Sequence, residues 1–281
     1  LQASELVTRI TNTDLDERMP PPEHSEALTK SEIDTLSRWI AAGAHWQEHW
    51  AFRTPRLPRI PGHNHPNNPI DAFIGERIAA AGLTANGPAT PETLIRRLHL
   101  DLIGLPPELQ RVARFVQDHE KDPEGAWHQL VDEVLASDRF GERWASVWLD
   151  LARYADTNGF QGDSERTMWP WRDWVVQSLN ENMPYDQFTI EQLAGDLLPE
   201  PSRDQLLATA FHRNTKTNTE GGTDDEEFRV EAVRDRVDTT MQVWMGLTMR
   251  CGTCHDHKYD PISQQEYYRF YAYFNQTADN D

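Results

Sequence analysis

The stretch DEEFRVEAVRDRVDTTMQVWMGLTMRCGTCHDHKYDPISQQEYYRFYAYF, residues 225–274, decides how the chain is read. Its first half carries Val230, Val233, Val237, Met241 and Trp244 at intervals of three and four, which predicts a helix over roughly 225–246. Its end sets Ser263 and Glu266 as a capping box, with Tyr267, Phe270, Tyr271 and Phe274 following on one helical face. Between the two stands C-G-T-C-H, Cys251 to His255, which holds the chain's only two cysteines. This is the covalent attachment pattern of a c-type haem. Two thiols three residues apart can add to the two haem vinyl groups as thioethers, and the adjacent imidazole can reach the iron. For two cysteines and 11 histidines in 281 residues, chance gives this arrangement on the order of 3 times in 10,000.

Three other chemistries use such residues. A dithiol redox motif wants a βαβ context, which the surrounding pattern lacks. A zinc site could recruit Cys251, Cys254, His255 and His257, but four ligands within seven residues do not match usual zinc spacings. A disulfide across three residues is strained. The haem reading leads over all three.

Outward from the motif, helix follows helix. Thr90 and Pro91 open one with Leu94, Leu98 and Leu102 inward, closed at Gly104. Val112, Phe115 and Val116 mark a second, and Trp127, Leu130, Val131 and Val134 a third. A fourth carries Trp144, Val147, Trp148, Leu151 and Tyr154 as its apolar stripe, and others fit near 171–181, 186–197 and 203–211. Nearer the start, Thr29 and Glu32 form a capping box ahead of Ile33, Leu36 and Ile40, with a stop at Gly43. The expected class is mostly α, an irregular multi-helix domain with cytochrome-c-like haem attachment, preceded by a partial cytochrome c domain. Residues 53–69 are Pro-rich and read as a linker, so the expected parts are 1–52, 53–69 and 70–281. Two long polar stretches, 155–168 and 212–227, interrupt the helices and are candidates for function or for plain solvated connection.

Composition narrows the classes. Asp and Glu number 46 against 27 Lys and Arg, a net charge of −19, which excludes binding nucleic acid through a basic face. Mean hydropathy is −0.73 and no long apolar run occurs, so no membrane span is expected. The 10 Trp, 7 Tyr and 10 Phe supply bulky core material, which argues against disorder. Leu1 is not a start residue, so the chain is expected to be a piece of a longer protein.

The segments NPIDAFI (68–74), LIRRLHLDLIGLPP (94–107), GERWASVWLDLARYADTNGF (141–160) and PYDQFTIEQLAGDLLP (184–199) are distinctive, as are FHRNTKTNTEGG (211–222) and CGTCHDHKYDPISQQEYY (251–268). With them the chain resembles the planctomycete cytochrome-c-like family, domain of unknown function 1549, over about 67–276. RMPPP (18–22), LTKSEIDTLSRWIAAGAHW (28–46) and HWAF (49–52) resemble the C-terminal half of a planctomycete cytochrome c domain. The resemblance implies that Met19 is the distal ligand of an upstream haem whose attachment motif lies outside the chain. It also implies a second haem in the parent protein, and a carbohydrate as the substrate class.

Within that resemblance the candidate haem residues are Cys251, Cys254 and His255, the last as proximal iron ligand. Candidate catalytic residues are His212, which opens a polar loop and could serve as distal ligand or acid–base group, and His257, a general base or propionate partner. Tyr154 and Glu220, with Asp156 and Asn158, match family segments and are expected at the pocket. Asp156 and Glu220 could equally fix helix ends or loops. Asp224 to Glu227 suggest calcium but fit a helix N-terminus better. Trp169, Trp171 and Trp174 could stack on a sugar, although burial in the core is the simpler expectation. More than 200 residues around one haem exceed what a carrier needs, so the expected activity is that of a haem-dependent oxidoreductase passing electrons through a second haem to a partner cytochrome. The alternative is an electron-transfer or carbohydrate-associated module without catalysis of its own. Covalent haem attachment implies a periplasmic or cell-surface location.

Overall fold

The computed structural model describes residues 4–47, 49–62, 68–159, 162–218 and 221–276. Among them are twelve α-helices and no β-strand; one isolated antiparallel bridge joins Thr157 and Glu165. The mostly helical class follows directly. The chain divides into two compact units, Leu1–Asn86 and Gly87–Asp281.

The first unit contains α1 (Glu5–Thr11), α2 (Lys30–Ala41) and α3 (Pro69–Ala80). Thr29 caps α2 with both halves of the box formed, its hydroxyl accepting from the Glu32 amide and the Glu32 carboxylate accepting from the Thr29 amide. Arg53 to Gly62 form neither helix nor strand, as five prolines in 53–69 dictate. Met19 follows α1, its amide donating to the Arg9 carbonyl and its side chain exposed.

In the second unit α4 (Pro91–Ile103), α5 (Leu109–Lys121) and α6 (Pro123–Leu135) close around Ile95, Phe115, Leu130 and Val134. Gly104 ends α4 at φ 71°, the left-handed conformation that the Gly-Leu-Pro-Pro stop called for. Then α7 (Arg139–Ala152) packs along α8 (Trp169–Asn180), and α9 (Tyr185–Ala194) and α10 (Arg203–Ala208) complete a core around Trp171, Trp174, Val175, Phe188 and Phe211. Trp171 and Trp174 are therefore core residues, whereas Trp169 is half exposed.

Helix α7 departs from its expected face. Trp144, Val147 and Leu151 are all more than 40 % exposed, while Gly141, Ala145 and Ala152 are buried. Small residues win the inward side because they let α8 approach closely, and that contact decides which stripe is buried. The helix expected over 225–246 begins as α11 (Asp225–Thr240) and finishes in a π-helical turn, Met241–Met245, closed by Gly246. The one expected over 203–211 is α10 followed by a 3-10 turn, Thr209–Asn214. Last comes α12 (Gln264–Phe274), its Ser263–Glu266 capping box fully made.

Candidate functional site

The five-residue motif sits on a 3-10 turn, Arg250–Thr253, between α11 and α12. Tyr267 of α12 is fully buried beneath it, and a Cβ added to Gly252 would lie 2.8 Å from the Tyr267 Cβ. Only glycine lets the turn rest on that ring. Two side chains of α12 pin the turn from above: the Tyr268 hydroxyl donates to the Thr253 carbonyl at 3.0 Å, and Gln264 Nε2 to the same oxygen at 3.2 Å. The Gln264 amide donates to Asp256 Oδ1 at 2.8 Å, fixing the exit from the motif.

Cys251 and Cys254 are exposed free thiols, so the disulfide alternative does not hold. His255 is exposed, with Nδ1 2.7 Å from the Asp256 carbonyl oxygen. A carbonyl only accepts, so Nδ1 carries the proton and Nε2 keeps its lone pair. This is the tautomer and orientation that an iron ligand requires. Two accessible thiols and an imidazole presenting Nε2, on one pinned turn, fit a covalently attached haem. Among the described residues no three His, Cys, Asp or Glu side chains gather as a metal site, so the zinc arrangement of Cys251, Cys254, His255 and His257 is not formed. The rings of Tyr267, Phe270, Tyr271 and Phe274 belong to a core with Val237, Met249 and Ile262, and the core takes the aromatic stripe.

His257 is turned into its own loop. Its side chain is 6 % exposed, and Nδ1 accepts the amides of Asp260 at 2.8 Å and Tyr259 at 3.3 Å. Accepting those bonds makes its Nδ1 the unprotonated nitrogen. It shapes the turn that carries the chain from the motif into α12.

An acidic face of α11 lies against the motif's entry. Arg250, next to Cys251, reaches toward Glu231 at 3.5 Å and Asp238 at 4.0 Å. The Asp238 side chain is 15 % exposed and its Oδ1 has no hydrogen-bond partner. Burial raises its pKa from 3.8 to about 6, against the opposing pull of Arg250. Between those two values the folded chain holds a proton that the unfolded chain releases, so stability falls as pH rises through that window. Asp238→Asn is expected to gain on the order of 1–2 kcal/mol at pH 7.5 and almost nothing at pH 3.5, checked by urea unfolding at both. An equal gain at the two pH values would contradict this origin.

The two polar stretches flagged in the sequence meet. The Thr217 amide donates to the Asn158 carbonyl, and Arg166 donates to the Thr215 carbonyl at 2.8 Å and the Ala155 carbonyl at 3.4 Å. Together with the first turns of α11 they bound a cleft of about 720 Å³ that includes Asn158 and His212. Asp224 caps α11, accepting from the Glu226 and Glu227 amides, which places the acidic run at a helix start as expected. Glu220 lies outside the described residues.

His212 belongs to the 3-10 turn after α10 and packs edge-on against Phe211 and Phe274. Burial, then Arg236 and Arg153, push its pKa down to about 3, so the ring is neutral throughout the physiological range. It meets α12 seven residues beyond Tyr267, and seven residues of helix span roughly 10 Å. The motif and His212 thus hold opposite ends of one helix. Tyr154 stacks on Trp171 and donates its hydroxyl to Asp156 at 2.8–2.9 Å; burial and that carboxylate raise its pKa to about 12. Arg153, one residue earlier, makes a two-pronged ion pair with Asp235 of α11, one arm at 2.9 Å.

Met19 stands in the first unit. The cations of the cleft, Arg166 and Arg213 above all, were not singled out by the sequence reading. Their only sequence signal was membership of the two polar loops.

The chain is mostly helical, and its second unit holds both a pinned Cys-x-x-Cys-His turn and a two-loop polar cleft. Over residues 69–279 it matches the family described as Protein of unknown function (DUF1549), PSCyt2, and it belongs to that family. Neither the curated proteins nor the solved structures contain a match.

Proposed function

We propose that this chain is an extracytoplasmic c-type haem protein, with haem joined to Cys251 and Cys254 and ligated by His255 Nε2. The observation that carries the reading is that single turn: two exposed thiols and an imidazole of the ligating tautomer, pinned by Tyr268 and Gln264. Bound haem supplies one-electron redox chemistry. The rest of the second unit serves as an oxidoreductase framework for a carbohydrate-type substrate held in the two-loop cleft. There the neutral His212 offers an imidazole for hydrogen bonding, and Asp156 holds the Tyr154 hydroxyl in place. Residues 1–52 are read as the end of a cytochrome c domain, in which Met19 would help hold a second haem; that haem would supply one-electron redox chemistry and a route to a partner cytochrome.

A second reading, an electron-transfer module without catalysis of its own, is favoured by the exposure of the motif and its separation from His212 along α12. A haem edge open to solvent suits exchange with a partner.

The test is expression in a bacterium with periplasmic haem-attachment machinery, followed by a pyridine haemochrome assay. One covalent haem per chain is expected. A chain that leaves that host without covalent haem overturns the proposal. Optical and EPR spectra then separate the two readings: a high-spin ferric haem that binds cyanide or CO supports the oxidoreductase, and a low-spin haem indifferent to both leaves the electron-transfer module.

A further inference from the structure

We infer that the two-loop cleft is an oxyanion-recognition site and that its ligand is a saccharide bearing carboxylate or sulfate groups. The saccharide half of this inference rests on the carbohydrate reading above; the anionic half rests on the cleft alone.

The first observation is where the charge lies. The chain carries 46 acidic against 27 basic residues, yet five of the fifteen described residues lining the cleft are Arg or Lys. They are Arg166, Arg213, Lys216, Arg229 and Arg236. Three carboxylates share the lining, Glu165, Asp225 and Glu226, and Glu226 is already held by both arms of Arg229 at 2.7 and 2.8 Å. A chain of net charge −19 thus has a lining with five cations against three carboxylates. Cations in a concavity focus a field that draws anions in.

The second observation is how Arg166 is held. Its hydrogen bonds go to two backbone carbonyls, which fix the guanidinium without neutralising it. Burial and then the neighbouring Arg213 work against its charge, with Asp156 and Asp163 offsetting part of both. A partly buried guanidinium beside a second, exposed one makes a place where an added anion is favoured. Guanidinium forks match the planar carboxylate and the oxygens of a sulfate ester.

The third is a pair of unfinished hydrogen bonds in the same wall. His212 Nε2 and Thr215 Oγ1 are buried without a partner, and both residues line the cleft. Thr215 is 4 % exposed, so its hydroxyl is withheld from water. A buried polar atom without a partner costs about 1–3 kcal/mol, part of which is recovered if a small shift of the wall brings these two atoms to a hydroxyl-rich ligand. Phe228 and Ala232 add an apolar patch for the C–H face of a sugar ring. A cleft of about 720 Å³ falls within the usual range for small-molecule sites, roughly 300–1,000 Å³.

Calorimetric titration of the purified chain with four probes tests this: trigalacturonate, glucose 6-sulfate, inorganic sulfate and neutral maltotriose. At least one charged saccharide is expected to bind tenfold or more tighter than maltotriose, weakening as salt rises. Arg213→Glu reverses an exposed charge that carries no ion pair among the described residues. It is expected to reduce that affinity tenfold or more while leaving the circular dichroism unchanged. Thr215→Val keeps the shape and removes the hydroxyl; it is expected to weaken binding several-fold with an unchanged or higher thermal midpoint.

Several results would overturn the inference. Maltotriose binding as well as the charged saccharides would remove the oxyanion. Arg213→Glu without effect would remove the cleft, and a Thr215→Val variant with lower stability and intact affinity would make Thr215 structural. Inorganic sulfate binding as tightly as either saccharide overturns the saccharide and keeps the anion site. Haem is read separately by haemochrome, so loss of the haem proposal and loss of this one are distinguishable.

Discussion

Replacing Cys251 and Cys254 together by serine is expected to abolish covalently held haem while leaving the fold intact. The thioether bonds need sulfur as the nucleophile, and a serine hydroxyl does not add to a vinyl group under the same conditions. The control lies in the exposure of both side chains. Substitutions at exposed positions away from special backbone features usually stay within about 0.5 kcal/mol, so thermal unfolding should scarcely move. Acidified acetone should then extract all haem from the variant and none from the parent chain. On the proposed haem attachment, His255→Ala is expected to keep the thioethers and change the optical spectrum, because the proposed Nε2 ligand would be lost. Equal haem in the double serine variant and the parent would place the cofactor elsewhere.

A large stability effect is expected at Gly141. In α7 its amide donates to Asn180 Oδ1 at 2.7 Å, and an added Cβ would lie 2.3 Å from the Val176 carbonyl oxygen and 2.6 Å from Asn180 Oδ1. The first obstacle is the backbone of α8, which moves only if the helix moves. Gly141→Ala is therefore expected to cost about 3 kcal/mol or more, at the upper end of overpacking effects. Gly87→Ala is the matched control, since a Cβ there meets nothing within 4 Å and the change should be neutral or slightly stabilising. Urea unfolding followed by circular dichroism reads both. Because α7 leads directly into Arg153 and Tyr154, displacing it should also loosen the Arg153–Asp235 pair and weaken anion binding in the cleft. A Gly141→Ala variant as stable as Gly87→Ala would show that α7 and α8 are not packed as described.

Reading and structure agree most closely where the physics is local. The two capping boxes, Thr29–Glu32 and Ser263–Glu266, are both formed, and the third, Ser202 with Gln205 ahead of α10, obeys the same rule although it was not singled out. These bonds join residues three apart, so the order of residues suffices to foresee them. The stripe on α7 holds only in part, Trp148 and Tyr154 packing against the core while Trp144, Val147 and Leu151 stay exposed, and for the opposite reason. Periodicity marks Trp144, Val147 and Leu151 as apolar, but which face is buried depends on α8, whose close approach requires Gly141 and Ala145. A helix with an apolar stripe and a small-residue stripe can bury either, and its neighbour chooses. The aromatic face of α12 was legible as a face, while its assignment to the core beneath Gly252 needed the third dimension.

The sequence by itself determined the helical class, the helix starts and the Cys251–Cys254–His255 constellation, because each depends on residues within one or two turns of one another. Only the folded backbone decided the His255 and His257 hydrogen bonds, which span one to three residues, and tertiary structure alone decided the cleft. Arg166 and Arg213 stand 47 positions apart in the chain, and α11 adds Arg229 and Arg236 from later still. No local rule joins such positions. They meet because Arg166 bonds the Thr215 carbonyl and the Thr217 amide bonds the Asn158 carbonyl, closing two polar loops on one another over the start of a helix.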